Sequence, residues 1–469
     1  MINVLEELLL NKDNILENNH KKYHIITFGC QMNEHDSETM AGMLNEKGYQ
    51  AEEERDKSDI VIINTCSVRE NADKRFFGTL GQLKKIKEGN PEFVACVCGC
   101  MMQQQHIIDQ VKSKYPWVDL VFGTHNIHQF PQLLDNVVNE RKKIVDIWQE
   151  GGAIVEGLPA KRLYDFKALV NIMYGCNNFC TYCIVPYTRG RERSRHPEEI
   201  IKEVKGLVES GAKEITLLGQ NVNSYGASKY EEGYCAEEEN GMDFADLIYA
   251  LNEIEGLDRI RFMTSHPKDL SDKLINAFKD CDRLCNAIHL PVQSGSDSVL
   301  KRMNRKYTKA DYLTLIEKLR AAVPDIAITT DLIIGFPGET EEDFLETMDL
   351  IEKVRYDSAF TFIYSIRKDT PAEKFEDQVP EEIKHDRFNR LLERINQISG
   401  EINKVYENTV QKVLVEGPST SKKGENALAG RTETGKLVNF PGSKALVGQI
   451  VNVKITEGKQ FNLKGILED

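Results

Sequence analysis

The sequence predicts a multidomain α/β protein: an open parallel α/β domain, then a partial (β/α)6 barrel, then a small all-β barrel. Two observations carry the α/β part and a third carries the tail. Short Ile- and Val-rich runs alternate with polar helical stretches, and they do so in two successive series. The series are parted near residues 149–159, where the pattern breaks into Glu-Gly-Gly and Gly-Leu-Pro. Beyond residue 405 the alternation stops, and short β-like runs follow, separated by Gly, Pro, Ser and Asn.

In the first series, residues 23–28, 59–63 and 93–97 read as strands buried on both faces. Helical stretches follow them at 36–47, 68–87 and 103–114, and such alternation implies a parallel sheet with right-handed crossovers. The second series has strands at 168–174, 214–219, 259–263, 286–290, 326–334 and 359–364. The helix expected at 197–210 carries Ile200, Ile201, Val204, Leu207 and Val208 on one face. Six units suit an incomplete barrel better than a full eight-unit one. The acidic stretch 228–241 reads as a surface insertion. After a charged helix at 381–405, the runs 410–415, 427–431, 437–440 and 447–455 suggest a small β-barrel.

A chain of 469 residues is long enough for about three domains, and 41% hydrophobic with 29% charged residues fits a soluble protein with ample core. No apolar run reaches the ~20 residues of a membrane span. Residues 1–19 are acidic, read as a short amphipathic helix, and lack the features of a secretory signal. Eleven cysteines, an odd number, point to a reducing cytoplasm and metal ligation rather than disulfides. A net charge of −14 excludes wholesale coating of nucleic acid, so any such contact needs a local basic surface. Residues 404–469 hold ten Lys/Arg against seven Asp/Glu, a net of +3, and form a mildly basic tail.

The densest chemical signal is Cys176-Asn-Asn-Phe-Cys180-Thr-Tyr-Cys183. Three thiolates in eight residues can wrap one inorganic cluster, yet a closed structural site wants four ligands. A 4Fe–4S cube held by three cysteines keeps one iron open for a small molecule. Zinc is the competing reading, but zinc sites usually add a nearby Cys or His pair, and the closest histidine, His196, sits in a run of arginines. Iron–sulfur is therefore favoured. Other polar and glycine motifs fall just after the strands: Gly219-Gln220-Asn221, Ser265-His266-Pro267, Gln293-Ser294-Gly295 and Gly335-Phe336-Pro337-Gly338. Barrel sites are built at the carboxyl ends of strands, so these motifs should converge on one mouth.

Cys30, Cys66 and Cys100 each end a predicted parallel strand of the first domain. In an open α/β sheet those ends line the ligand crevice, so the trio is a candidate for a second cluster with an open iron. A free cysteine is commonly just a small buried hydrophobe, and Cys96 and Cys98 are read that way. Cys235, Cys281 and Cys285 receive no cofactor role. Arg189, Arg191, Arg193 and Arg195 place four guanidinium groups within seven residues directly after the cluster loop. They are candidates for a nucleic-acid backbone or a cofactor carboxylate, against the plainer reading of a solvated charge run. His266 and His289 read as core or supporting residues.

Taken together, these residues resemble a known family. Cys176 to Cys183 followed by Ile184-Val-Pro-Tyr-Thr-Arg-Gly-Arg-Glu-Arg-Ser194 is similar to the radical S-adenosylmethionine methylthiotransferases. Leu217-Leu-Gly-Gln-Asn-Val-Asn-Ser-Tyr225 resembles the branch that makes 2-methylthio-adenosine in tRNA. Gly29-Cys30-Gln-Met-Asn33, Asn64-Thr-Cys66-Ser-Val-Arg-Glu70 and Gly99-Cys100-Met101 match the family's first domain. Gly430-Arg-Thr-Glu-Thr434 and Val438-Asn-Phe-Pro-Gly442 resemble its TRAM RNA-binding barrel. The domains so implied are an extension (1–22), a methylthiotransferase α/β domain (23–140), a linker (141–161), a radical core (162–394) and a TRAM domain (395–467).

The resemblance implies two 4Fe–4S clusters and S-adenosylmethionine, used both as radical source and as methyl donor. Cys176, Cys180 and Cys183 would hold the cluster that cleaves S-adenosylmethionine to a 5′-deoxyadenosyl radical. Cys30, Cys66 and Cys100 would hold the auxiliary cluster that delivers sulfur. The product would carry a methylthio group on carbon 2 of N6-isopentenyladenosine at position 37 of tRNA. Tyr182, Gln220, Asn221, Ser265, Gln293 and Ser294 are the expected S-adenosylmethionine pocket. Arg189, Arg191, Arg193, Arg195, Arg431 and Phe440 are the expected RNA contacts, Phe440 as a stacking platform, against the plainer and preferred reading of Phe440 as a barrel-core residue. The implied partners are a tRNA anticodon stem-loop, a one-electron donor and iron–sulfur assembly or sulfur-carrier proteins, with no membrane and a cytoplasmic monomer. One departure stands out. Radical enzymes often show Gly-x-Ile-x-Gly-x-x-Glu at the fifth strand, and here Asp331 replaces the first Gly while Glu339 is displaced by one.

Related enzymes that modify threonylcarbamoyl-adenosine or a ribosomal-protein aspartate are the rival within the class, disfavoured by Gln220-Asn221-Val-Asn223. A tRNA-binding protein with purely structural clusters is the rival outside it. Three-ligand loops argue against that reading, because structural clusters are normally fully ligated.

Overall fold

A computed structural model describes residues 21–67, 70–227, 233–236, 241–419 and 427–468. The helix expected within 1–19 and most of the acidic insertion at 228–241 lie outside the described residues. The first domain is a six-stranded parallel sheet of β1 (Lys22–Thr27), β2 (Gln50–Ala51), β3 (Ile60–Thr65), β4 (Val94–Gly99), β5 (Leu120–Phe122) and β6 (Ile144–Asp146). Its order is β2-β1-β3-β4-β5-β6. Every residue of β3 and β4 is buried, as strands covered by helices on both faces require. The short strands β2, β5 and β6 escaped the sequence reading because runs of two or three residues show no period. β6 falls within the stretch expected as linker and pairs with β5 as an edge strand.

The order reverses between β1 and β3, and open α/β sheets bind ligands at that switch point, beyond the carboxyl ends of the strands. Cys30 follows β1 and opens the helix Gln31–Glu46, Cys66 follows β3, and Cys100 follows β4. Topology therefore draws three cysteines distant in sequence to one crevice.

The second unit is the partial barrel. Its strands are β7 (Lys167–Asn171), β10 (Glu214–Leu218), β11 (Arg259–Phe262), β12 (Ala287–His289), β13 (Ala327–Ile334) and β14 (Ser358–Ile363). A small ribbon of β8 (Met173–Tyr174) and β9 (Arg193–Ser194) brackets the cysteine loop. The main strands pair in parallel in two groups, β11-β10-β7 and β12-β13-β14. A bridge from Ile260 to Leu284 lies between them. The largest core fills the space between these strands and their helices, with Ile215, Leu217, Ile260, Ile288, Leu332 and Ile334 in it. Capping boxes at Asp243, Thr308 and Thr340 fix three helix starts by satisfying N–H groups that the helix leaves unpaired.

The chain ends in a closed five-stranded barrel of β15 (Val410–Pro418), β16 (Ala427–Thr432), β17 (Leu437–Pro441), β18 (Ile450–Gly458) and β19 (Leu463–Leu467). It docks at the amino-terminal ends of the larger barrel's strands. Arg259 donates to the carbonyls of Arg431 (3.0 Å) and Lys412 (2.8 Å), and Arg261 to those of Thr432 (2.8 Å) and Glu433 (2.9 Å). Lys436 pairs with Asp357 at 2.7 Å, and both are largely buried. The opposite, carboxyl end of the strands faces the first domain.

Candidate functional site

At that interface the cysteine loop leaves β8 and returns through the short helix Val185–Thr188 to β9. Gly175 has φ +77 and lies so close to the Arg191 carbonyl that a Cβ would overlap it. The loop doubles back there only with glycine. Phe179, inside the loop, also takes a left-handed backbone (φ 46), as do Thr264 (φ 68) and Gln293 (φ 74) after two other strands. Non-glycine residues in that region cost about 1–3 kcal/mol each and cluster at functional sites. Asn304 holds the strained turn by donating to the carbonyls of Asn178 (3.2 Å) and Phe179 (3.0 Å).

Cys176 and Cys180 are buried and Cys183 half-buried. Burial pushes the thiols of Cys176 and Cys183 up to about 12. The buried Arg305 donates to Cys180 Sγ at 3.4 Å, to Tyr307 Oη at 2.7 Å and to the Pro291 carbonyl at 2.7 Å. Asn178 Nδ2 donates to Cys176 Sγ at 3.5 Å.

The other trio sits across the interface. Cys66 and Cys100 are buried, and Cys30 is exposed. The Cys30 thiol is pulled down to about 6, first by its hydrogen bond with Cys66 and further by the Arg189 guanidinium. Arg189, from the loop after Cys183, crosses to the first domain. Its Nε donates to Cys100 Sγ at 3.1 Å, and its Nη2 to Asp36 at 2.7 Å and Asn33 at 3.3 Å. Asp36 and Asn33 lie on the first turns of the helix that Cys30 opens. Gly99 (φ +95) lets β4 turn sharply into Cys100, since a Cβ there would overlap the Thr65 carbonyl. Thr124 Oγ1 donates to the Thr188 carbonyl at 2.9 Å, and Arg367 to that of Ser67, so the first domain and the larger barrel are tied in several places.

The donor sets fit iron–sulfur clusters. Each trio offers soft sulfur ligands and one guanidinium N–H aimed at a sulfur, the kind of outer hydrogen bond that tunes thiolate-held iron. Among the described residues no group of three or more His, Cys, Asp or Glu is gathered closely enough to hold a metal ion.

Several expected contacts are corrected by the geometry. Arg189 is buried against Asp36 and Cys100, so it is not an RNA contact. Arg195 is buried too, bound to Glu156 at 2.8 Å, Glu203 at 2.7 Å and the Asn171 carbonyl at 2.6 Å. Phe440 is 2% exposed in the small barrel's core and has no free face for a base. Ser294 is buried, with its hydroxyl 3.4 Å from that of Thr347 on the helix Glu341–Val354. Arg193 donates to the Gly152 carbonyl, Arg191 lies 4.3 Å from the Phe179 ring, and Arg431 sits beside Glu416 at 3.5 Å.

The other pocket candidates lie in the cysteine loop or just beyond strand ends. Tyr182 packs edge-on to Phe336 with centroids 6.4 Å apart. Gln220 Oε1 accepts from the Gly175 N–H, tying the second strand's loop to the cysteine loop. Asn221 donates to Asp269 at 2.8 Å, while its buried Oδ1 has no partner among the described residues. Ser265 donates to the His289 carbonyl. Gln293 bridges to β13 through its backbone. Glu339, despite its displacement, accepts from the Gly335 N–H and from Arg387, both at 3.0 Å. Burial nevertheless holds its carboxyl up at about 7.

Sequence reasoning missed Arg305, Asn33 and Asp36. Arg305 sits in a polar stretch between two helices with nothing local to mark it. Asn33, already within the Gly29–Asn33 motif, and Asp36 were accessible in principle, because they lie three apart and share one face of the helix that Cys30 opens.

Comparison with known proteins places this architecture. Residues 170–351 match the radical SAM superfamily, residues 22–123 the uncharacterized protein family UPF0004, and residues 404–467 the TRAM domain. A tRNA-2-methylthio-N(6)-dimethylallyladenosine synthase of Clostridioides difficile (strain 630) is 59% identical over 94% of this chain and 90% of its own. Those of Alkaliphilus oremlandii (55%, over 95% and 92%) and Clostridium botulinum (54%, over 98% and 99%) are similarly close. Among solved structures, the fold resembles the radical S-adenosylmethionine methyltransferase TsrM of Kitasatospora setae. That match has TM-score 0.53 and 10% identity over 84% of this chain and 77% of the other.

Proposed function

The chain belongs to the tRNA-2-methylthio-N(6)-dimethylallyladenosine synthase family, and from that premise we propose how its residues divide the work. The protein is a radical S-adenosylmethionine enzyme that methylthiolates tRNA, using 4Fe–4S clusters. Its target is carbon 2 of N6-isopentenyladenosine at position 37, in the anticodon stem-loop. When bound, one cluster with S-adenosylmethionine supplies the radical, and the other supplies sulfur that a second S-adenosylmethionine methylates.

Cys176, Cys180 and Cys183 hold the first cluster, with Arg305 donating to Cys180. Tyr182, Gln220, Asn221, Ser265 and Gln293 shape the cofactor pocket, and Glu339 braces the loop after β13 through Gly335 and Arg387. Cys30, Cys66 and Cys100 hold the second cluster, with Arg189 donating to Cys100. Burial of most of these thiols excludes water from both sites, a need of radical chemistry. The exposed Cys30 marks the side from which the auxiliary site is reached. An external one-electron donor and iron–sulfur or sulfur-carrier proteins serve a cytoplasmic monomer. No helix among the described residues is long and apolar enough to cross a membrane.

The observation that carries this reading is the meeting of two cysteine trios at facing strand ends, joined by Arg189. The test is mass spectrometry of tRNA nucleosides after incubation with reconstituted protein, S-adenosylmethionine and reductant. The expected product is 2-methylthio-N6-isopentenyladenosine. Its absence beside an active control overturns the assignment.

A further inference from the structure

The last strand of the larger barrel carries two phenylalanines that neither the core nor the cysteine loops account for. Phe360 and Phe362 on β14 are 53% and 45% exposed. Strand register assigns them a side. Phe360 pairs with Asp331 and Phe362 with Ile333 on β13, while the alternate residues Leu332 and Ile334 lie in the core beneath the helices. Paired residues share a face and faces alternate. Phe360, Phe362, Asp331 and Ile333 therefore face the barrel interior.

His289 joins them, because it pairs with Thr329 on the same face of β13. Its ring stands edge-on to Phe360 at 5.9 Å, its Nε2 is 3.5 Å from Asp331 Oδ1, and its Nδ1 is 3.0 Å from Thr329 Oγ1. At the upper end Ile333 and Tyr182 of the cysteine loop pack against the same small cluster, around Phe336. A continuous stripe thus descends from the cysteine loop into the barrel. It sets an aromatic strip beside a carboxylate–imidazole pair. Asp331 is also the residue that replaces the usual glycine of this strand, so its carboxylate adds a polar group where the common pattern has no side chain.

We propose that this stripe is the subsite for the N6-prenyl edge of the target adenine. The Asp331 carboxylate accepts the N6–H, and Phe360, Phe362 and Ile333 take the five-carbon chain. The inference rests on the substrate reading above and adds the residues that select the substrate. The N6 substituent and carbon 2 point in different directions from one ring, so fixing the first sets where the second lies. Unmodified adenine would leave the aromatic strip wet. A single methylene in a hydrophobic pocket is worth about 10- to 200-fold in discrimination.

The test compares an anticodon stem-loop RNA with and without N6-isopentenyl on the reconstituted holoenzyme, without reductant, by fluorescence anisotropy. Wild type should bind the prenylated RNA on the order of 10- to 100-fold more tightly. A Phe360→Ala/Phe362→Ala variant should lose that preference to within about twofold by weakening the prenylated RNA alone. The conservative Phe360→Leu/Phe362→Leu variant should keep most of it. Asp331→Asn should weaken both RNAs, since both carry N6–H, and leave the ratio unchanged. Retention of the wild-type ratio in the double alanine variant overturns the proposal, as does equal binding of the two RNAs by wild type. If wild type still forms the methylthiolated product in either case, the activity stands and only the subsite falls. Equal binding with no product overturns both.

Discussion

The two cysteine trios meet across one interface but are assembled by opposite means. Cys176, Cys180 and Cys183 occupy a single loop whose shape is set locally, by a glycine turn at Gly175 and a strained Phe179. Cys30, Cys66 and Cys100 come from three strand ends and meet only because the sheet order reverses between β1 and β3. Each trio has one buried arginine on one sulfur. Arg305 serves its trio from within the barrel and bonds otherwise to Tyr307 and a carbonyl. Arg189 serves the opposite domain and carries a buried ion pair with Asp36. The local loop is self-contained, whereas the dispersed trio depends on the domain interface.

The largest test of that contrast removes one trio at a time. Replacing Cys176, Cys180 and Cys183 by alanine should abolish reductant-dependent release of 5′-deoxyadenosine and lower bound iron from about eight to about four per chain. Replacing Cys30, Cys66 and Cys100 should remove the same iron but leave that release intact, with no methylthiolated nucleoside formed. Iron analysis checks the equal loss in both variants, and chromatography of the two products distinguishes them. Persistent release in the first variant would refute the division of labour.

The arginines come next. Arg189→Met leaves Asp36 buried without a counter-charge, and breaking such a pair costs about 3–5 kcal/mol. Arg305→Met removes the donor to the buried Tyr307 hydroxyl and Pro291 carbonyl and should cost about 1–3 kcal/mol. Denaturant unfolding measures both. Adding Asp36→Asn to Arg189→Met should recover most of the loss, and no recovery would mean that the ion pair is not the source.

Gly99→Ala and Gly175→Ala each drive a Cβ into a backbone carbonyl. Each should cost about 1–3 kcal/mol or more. Iron loss should be confined to the auxiliary cluster for Gly99→Ala and to the loop cluster for Gly175→Ala. Spectroscopy of the remaining cluster reads the difference.

The smallest effect is one of pH and belongs to the loop side alone. Burial holds Glu339 at about 7 against an ordinary 4.5, so the native state keeps a proton that the unfolded chain has lost. This contribution is fully present below pH 4.5 and disappears as pH rises through about 7. Glu339→Gln should therefore narrow the stability difference between pH 5 and pH 8, by about 1–3 kcal/mol. An unchanged difference would place the titration elsewhere.

Much of this architecture was legible in the residues. The long strands of both α/β series stand within a residue or two of where Ile/Val runs set them, except that the one expected at 168–174 ends at Asn171, and the helix expected at 381–405 spans Glu381–Val405. The four-arginine run was less legible. Its spacing looks like one basic surface, yet Arg189 and Arg195 turn inward to carboxylates contributed by the first helix and the linker. Phe440 is where the plainer reading set it, since alternation along β17 puts it in the barrel core with Val438.

Sequence alone determined the contiguous ligand loop, the period of each element and the order of the three units, because these depend on neighbours along the chain. Only the tertiary structure decided which arginine faces a sulfur, which serine faces a helix, and that Asp331, His289 and Phe360 share one wall. Those choices depend on strand register and on the docking of one domain against another, where a carboxylate far away in sequence sets the direction of a buried charge.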